Sequence, residues 1–426
     1  MRNFFLFLLV IALNIEAQTG NIITVNVEND AVMRFLKEVS YTSTDDSTQI
    51  RAYRAFAAER GDYPRPAIIP IPEADADMLL KYSDSEDASE REHIMVVAKG
   101  STEVKLYNLT PQRTYYYVIE CDGQILGSGE IHTTGQVRMI RVPGADNIRD
   151  MGGWPTVDGK RIKYGKLIRG GELNGNHNVD SASLAILSDR LDIKAEIDMR
   201  AFYDKGKGVS AFGFASNQWG NGSKPPYYYT NDSGQLPEHL QNTAYKRKWK
   251  REFDFIVNNF VKGRNVYFHC VRGADRTGYL ALFMEGLLGV GYEDMIKDYE
   301  LTYFTNGNTK KIIDPVINYI SQLKGTSLQE RFNTFFVDSL GVYQQNIDYF
   351  RKEMLEDIPE EIHLDKNNPI TFISNTVQTD DQRKATVVDL WGRKATVVTN
   401  THSRPSLHKG IVIEIAPDGT VRKRVR

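Results

Sequence analysis

From residue 20 to 136 apolar and polar positions alternate with a period of two. Ile22-Ile23-Thr24-Val25-Asn26-Val27, Ile94-Met95-Val96-Val97 and Tyr115-Tyr116-Tyr117-Val118-Ile119 read as strands. Asp122-Gly123, between Tyr115–Cys121 and Ile125–Ile131, predicts a hairpin turn, because both positions tolerate positive φ. The whole stretch is expected to be all-β, with acidic residues 71–93 forming a surface loop. From 138 to 350 the period changes. Ala195–Met199 and Asn265–His269 read as short strands. Helical spacing covers Ser181–Leu191 (capped by Asp180 or Ser181), Tyr245–Lys262, Thr277–Leu288, Tyr292–Tyr299 and Ile312–Gln322. Thr277–Leu288 is apolar nearly all round, so it is expected inside. Strands alternating with helices predict an α/β fold with a central, mostly parallel sheet flanked by helices. Phe202–Asn242 breaks the pattern with Gly, Asn and aromatic residues, among them Trp219 and Tyr227-Tyr228-Tyr229. So long an irregular stretch reads as a substrate-gripping lid or a surface insertion. After a linker at Pro359-Glu360-Glu361, strands are expected at Ala385–Asp389, Lys394–Val398 and Gly410–Ile415, a small β segment ending in a basic terminal strand.

A length of 426 residues fits two or three domains. The expected boundaries are a leader at 1–17, a β-sandwich at 18–137, an α/β domain at 138–350 and the β segment at 351–426. The leader rests on Met1-Arg2-Asn3 followed by the apolar run Phe4–Leu13, with Ala17 at a plausible cleavage point. That run is short of the roughly 20 residues that span a bilayer, so export rather than stable membrane insertion is expected. A net charge of −2 argues against a general nucleic-acid binder. The two cysteines, Cys121 and Cys270, are not expected to pair, because a bridge would remove the better use of Cys270.

That use lies in His269-Cys270-Val271-Arg272-Gly273-Ala274-Asp275-Arg276-Thr277-Gly278, which follows an apolar strand and opens an apolar helix. A loop entering a helix aims unpaired backbone N–H groups at one spot, and the helix dipole favours an anion there. A cysteine at the floor of such a cup is favoured as the thiolate, which is the nucleophilic form. Arg276 offers a fork of donors for two phosphoryl oxygens. Gly273 is read as letting the backbone approach the ligand. No metal-ligand spacing occurs among the eight histidines, and no cofactor is expected.

The Cys-x5-Arg-Thr pattern preceded by His resembles the signature of the protein tyrosine phosphatase superfamily, and Asp just before Arg resembles its bacterial and fungal tyrosine/serine phosphatases. Further segments resemble that family in the same order: Asn147-Ile148-Arg149-Asp150-Met151-Gly152-Gly153, Gly165–Gly170, Ile197-Asp198-Met199-Arg200 and Asp298–Thr302. The resemblance implies Cys270 as nucleophile, Arg276 as phosphoryl clamp and Asp275 as general acid, with Asp198 as rival. It also implies that Val271, Arg272, Gly273, Ala274 and Thr277 line the substrate, with the Thr277 hydroxyl directed at the sulfur. His269 would orient the loop. Arg149 and Asp150 read as braces or a structural ion pair, and Arg200 as a substrate contact or a pin at the sheet edge. Ala274 departs from the Lys often found in the bacterial relatives, which weakens any carry-over of phosphoinositide activity. The implied partner is a phosphorylated protein or small phosphomonoester. Inositol phosphates, and a surface binding protein with little catalysis, are the alternatives.

Two flanking resemblances are shorter. Leu106–Tyr117 resembles the late strands of a fibronectin type III-like sandwich. Val388-Asp389-Leu390-Trp391-Gly392-Arg393-Lys394 and Leu407–Ile413 resemble the C-terminal sorting domain of proteins exported by the type IX system of Bacteroidetes.

Overall fold

A computed structural model describes residues 21–57, 60–86, 93–215, 226–232 and 237–358, and the backbone of short strands between 371 and 425. The expected leader, the Pro359-Glu360-Glu361 linker, Trp219 and the Leu390–Arg393 connection lie outside the described residues. The chain divides into two compact units, Met1–Asp357 and Ile358–Arg426.

The first unit opens with β1 (Asn21–Asn26), β2 (Ala67–Pro70), β3 (Met78–Ser83), β4 (His93–Val97), β5 (Glu103–Leu106), β6 (Thr114–Cys121) and β7 (Gln124–Thr134). Five of these form a sheet in the order β1-β7-β6-β3-β4, and β2 pairs with β5. Strand β1 lies parallel to β7; the other pairs are antiparallel. Ile69, Leu80, Leu106, Tyr117 and Ile131, from both sheets, share one apolar core. The β6–β7 turn is at Asp122-Gly123, with φ of 48° and 79°, the left-handed pair that matches strand twist.

Two expectations fail in this region. The described part of residues 71–93 is not simply a surface loop: β3 sits between β6 and β4, with Met78, Leu80 and Tyr82 buried. The flanking Asp75, Asp77 and Asp84 dilute a short alternation that the fold nonetheless uses. Nor is the stretch all-β. Helix α1 (Asp30–Glu38) begins at Asn29, whose side chain accepts from the Val32 amide at 3.0 Å, a cap worth about 1 kcal/mol. Its buried residues Ala31, Val32 and Phe35 join the core of the following α/β region rather than that of the two front sheets.

The α/β region contains β8 (Arg149–Asp150), β9 (Lys160–Ile162), β10 (Leu167–Gly170), α2 (Ser181–Ala185), β11 (Ile193–Asp198), β12 (Tyr227–Tyr229), α3 (Thr243–Phe260), β13 (Asn265–His269), α4 (Asp275–Leu288), α5 (Tyr292–Glu300), α6 (Tyr303–Asn306), α7 (Asp314–Ser321), α8 (Leu328–Thr334), α9 (Gln344–Met354) and β14 (Leu355–Asp357). The sheet runs β12-β11-β13-β10-β8, parallel except for β8 against β10. The break at Phe202–Asn242 is thus not wholly irregular, since Tyr227–Tyr229 pairs with β11 as an edge strand. Every α4 residue after Asp275 is buried, which is why that helix carries no polar face. Helix α9 crosses residue 350, and β14 pairs with β9, so the compact unit closes at Asp357.

In the second unit, β15 (Thr371–Ile373), β16 (Thr386–Asp389) and β17 (Lys394–Thr396) form an antiparallel sheet, and β18 (Ile411–Ile415) pairs with β19 (Val421–Val425). Among the described residues no helix is long and apolar enough to cross a membrane.

Candidate active site

Strand β13 lies between β10 and β11 and delivers His269 and Cys270 to the carboxyl end of the sheet, where open α/β sheets bind ligands. The chain then turns through Val271–Ala274 into α4. Cys270 is 3% exposed and a free thiol, as is Cys121. A cavity of about 290 Å³ opens over the loop, lined by Cys270, Val271, Arg272, Ala274, Asp275 and Arg276, with Asp204 and Asn308 from other segments. A larger depression of about 490 Å³ lies among Lys324, Gln329, Asn333, Gln344 and Arg351. That depression has no cysteine and lies on segments outside the Cys270–Arg276 loop, so the smaller cavity is the candidate site.

Arg276 donates through Nη1 to the Met199 carbonyl (3.0 Å), Asp204 Oδ2 (2.8 Å) and the Asp232 carbonyl (3.0 Å). Its Nε is buried without a protein partner, and such an orphan donor is available to a ligand oxygen. Burial works against the cation, but Cys270, Asp204 and Asp232 outweigh it and raise the Arg276 pKa above its ordinary value. The Thr277 hydroxyl is also buried and unpartnered.

Asp275 is half-buried at the first position of α4, yet it does not cap the helix. Its Oδ1 accepts from Tyr299 Oη at 3.0 Å and from Asn308 Nδ2, which holds the carboxyl at the cavity wall. Asp198 differs. Its oxygens accept from the Arg200 backbone (3.0 Å), Arg200 Nε and Nη2 (both 2.9 Å), the Gly208 amide (3.0 Å) and Tyr227 Oη (2.8 Å). Burial opposes its charge, but His269 and Arg200 overcome that and hold its pKa down at about 2. A carboxylate so saturated has no proton to deliver at neutral pH. Arg200 is fully buried and also donates to Asn174 O (2.5 Å) and Gly206 O (2.9 Å), so it pins the chain after β11 rather than reaching the cavity.

The loop is held from behind. His269 Nε2 lies 2.9 Å from Glu196 Oε1 on β11, and its Nδ1 lies 3.1 Å from the Cys270 carbonyl. Asn147 Nδ2 donates to the carbonyls of Gly273 (2.9 Å) and Arg272 (3.2 Å), and Arg169 Nη2 reaches Gly273 O at 3.3 Å. Tying these carbonyls outward turns the following amides inward. Arg149 and Arg169 both pair with buried Asp298. Burial opposes the Asp298 charge, but the two arginines pull its pKa down to about 2. Burial and the neighbouring Asp298 push Glu285 up. Asp150 instead accepts from the Gly152 and Gly165 amides at 2.8 and 2.7 Å and pairs with Arg138, bracing a turn away from the cavity. Gly273 has φ +65°, and a Cβ there would lie 2.5 Å from Gly170 O and 2.7 Å from Gly171 N. The reason for glycine is therefore the close approach to β10 and the left-handed backbone, not ligand access.

Asp204, Asn308, Tyr299 and Glu196 were not anticipated as site residues. Asp204 and Asn308 carry no local signal, because only the fold brings them to the loop. Asn147, Arg169 and Asp298 lay inside recognised segments without an assigned contact.

A buried thiol and an arginine thus share one loop at the carboxyl end of the parallel sheet of an α/β fold. The chain belongs to the tyrosine phosphatase family, whose model matches residues 140–387. It is also 26% identical over 164 residues to a Cupriavidus necator protein whose name assigns it to the tyrosine-protein phosphatases. That similarity covers 36% of this chain and 59% of the relative's length.

Proposed function

We propose that the chain is an exported hydrolase of phosphomonoesters that works through a phosphocysteine, with protein phosphotyrosine as its first substrate and phosphoserine or phosphothreonine as further ones. The observation that carries this reading is the cavity shared by Cys270 and Arg276, with the Arg276 Nε free of protein partners. In the first step the Cys270 thiolate attacks phosphorus and the ester P–O bond breaks. The leaving oxygen takes a proton from Asp275. Arg276 and the loop amides stabilise the equatorial oxygens. In the second step water attacks phosphorus, Asp275 takes its proton, and the sulfur leaves, aided by the Thr277 hydroxyl. Asp275 is preferred over Asp198 as acid because, of the two, only Asp275 lines the cavity.

The cavity balances Arg272 and Arg276 against Asp204 and Asp275. Without surplus cationic charge, a single phosphoryl group is favoured over an inositol polyphosphate. The proposal also takes the front strands as a fibronectin type III-like sandwich, the N-terminal run as a cleaved leader and the last β segment as a sorting domain.

The test uses reduced full-length protein with phosphotyrosine and phosphoserine peptides, inositol phosphates and p-nitrophenyl phosphate, in the presence of a chelator. Turnover of the phosphotyrosine peptide is expected. Cys270→Ser should lower it about 10⁴-fold or more while tungstate binding survives. Inactivity of the folded wild type across the panel, or full activity of C270S, would refute the reading.

A further inference from the structure

The segment joining β1 to β2 lies before the family-matched region, yet it reaches the back of the catalytic loop. Asp62 is 2% exposed, and its Oδ2 accepts the backbone N–H of Asn147 at 2.9 Å. Asn147 is the residue whose side-chain amide ties down the Gly273 and Arg272 carbonyls. It stands at φ +56°, in the left-handed region that a non-glycine residue occupies only when its surroundings hold it there. A buried N–H in that conformation needs an acceptor, and Asp62 is the one present.

Asp62 is itself held in place. Arg60 donates to it through Nε (2.9 Å) and Nη2 (2.7 Å), and the same Nη2 reaches Asp146 at 2.5 Å, so one guanidinium staples the segment to the residue before Asn147. Asn29 Nδ2 donates to the Gly61 and Tyr63 carbonyls at 2.9 and 2.7 Å, fixing the turn on both sides. Gly61 packs so close to Phe304 that a Cβ would lie 2.7 Å from the Phe304 Cβ.

We infer that Asp62 is a positioning residue for the oxyanion cup: it acts through Asn147 to set the Arg272–Gly273 backbone, so the front segment is a working part of the active site. This rests on the proposed phosphatase reading for its activity readout but not for its binding readout. Loss of the acceptor frees the Asn147 backbone, lets the Gly273 carbonyl rotate and misaligns the amides around the bound oxyanion.

The experiment compares full-length wild type, Asp62→Ala and Asp62→Asn, with Ile119→Val in the front core as a control for mild destabilisation. Tungstate affinity is measured by calorimetry, p-nitrophenyl phosphate turnover by kinetics and folding by circular dichroism. D62A should lose about 10- to 100-fold in kcat and a parallel factor in tungstate affinity. D62N retains an oxygen acceptor for the Asn147 amide and should stay within about threefold of wild type on both readouts. I119V should lower Tm without changing either constant. Should D62A fail to fold, Asp62→Ser, too short to reach the amide, carries the same expectation. Wild-type tungstate affinity in D62A or D62S overturns the inference, as does D62N being as impaired as D62A. A wild type that binds tungstate without turning over any ester overturns the proposed reaction instead, and the binding comparison still decides the role of Asp62.

Discussion

Gly273→Ala tests the cup directly, because two costs at that residue can be separated. The first is conformational: φ is +65°, and a left-handed L-residue costs roughly 1–2 kcal/mol. The second is steric. The new Cβ would sit 2.5 Å from Gly170 O and 2.7 Å from Gly171 N, where carbon contacts optimally at about 3.5–4.0 Å. The obstacle is the β10 backbone, which cannot swing aside as a flexible side chain would. The loop must therefore move by about 1 Å, at an overpacking cost of about 1–3 kcal/mol. Gly263→Ala is the matched control: φ is +67°, with nothing within 4 Å of the added carbon. G263A should lose about 1–2 kcal/mol in urea unfolding and keep its kcat/KM. G273A should lose about 2–5 kcal/mol, and its kcat/KM for p-nitrophenyl phosphate should fall about 10²-fold. If folded G273A keeps kcat/KM within threefold of G263A, the loop does not act as a rigid cup and the reasoning fails.

Asp275→Asn should lower kcat about 10²–10⁴-fold on a phosphoserine peptide and much less on p-nitrophenyl phosphate, whose leaving group needs little protonation; equal losses on both would remove Asp275 as the acid. Asp198, held at about 2, contributes about 2 kcal/mol above its unfolded pKa. That contribution disappears as pH falls from about 4 towards 2, so the stability deficit of Asp198→Asn should shrink over that window in urea titrations. Glu252 behaves oppositely: burial and then Asp232 raise its pKa to about 8. The wild type should therefore lose stability relative to Glu252→Gln as pH rises from about 4.5 to 8 and hold a constant gap above that. A pH-independent gap would show that Glu252 ionises freely.

The Cys270–Arg276 loop was readable in sequence as a strand-to-helix turn because its residues are local. Cys270, Asp275 and Arg276 share one turn between a strand and a helix, and the periodicities of Asn265–His269 and Thr277–Leu288 announce both. The β6–β7 hairpin was readable for the same reason, since Asp122-Gly123 sets its own φ angles. Helix α1 was not, because its nine residues follow a strand pattern in an otherwise β stretch and the core that buries their apolar face belongs to distant segments. The roles of Asp198 and Asp275 could not be separated either, because both are carboxylates beside arginines along the chain. In the structure five donors surround Asp198, whereas Asp275 stands at the cavity wall, and that difference is what supports the proposed choice of acid.

What the amino-acid order determined by itself was the set of short-range events: strand, cup, helix and the reactive groups within them. What only the tertiary structure decided was which long-range partners tie that cup down. Asp62, Asn147, Arg169, Asp204 and Asn308 come from segments far apart in the chain. Burial makes the contacts of Asp62, Asn147 and Arg169 matter, and burial is a property of the packed chain rather than of any stretch of it.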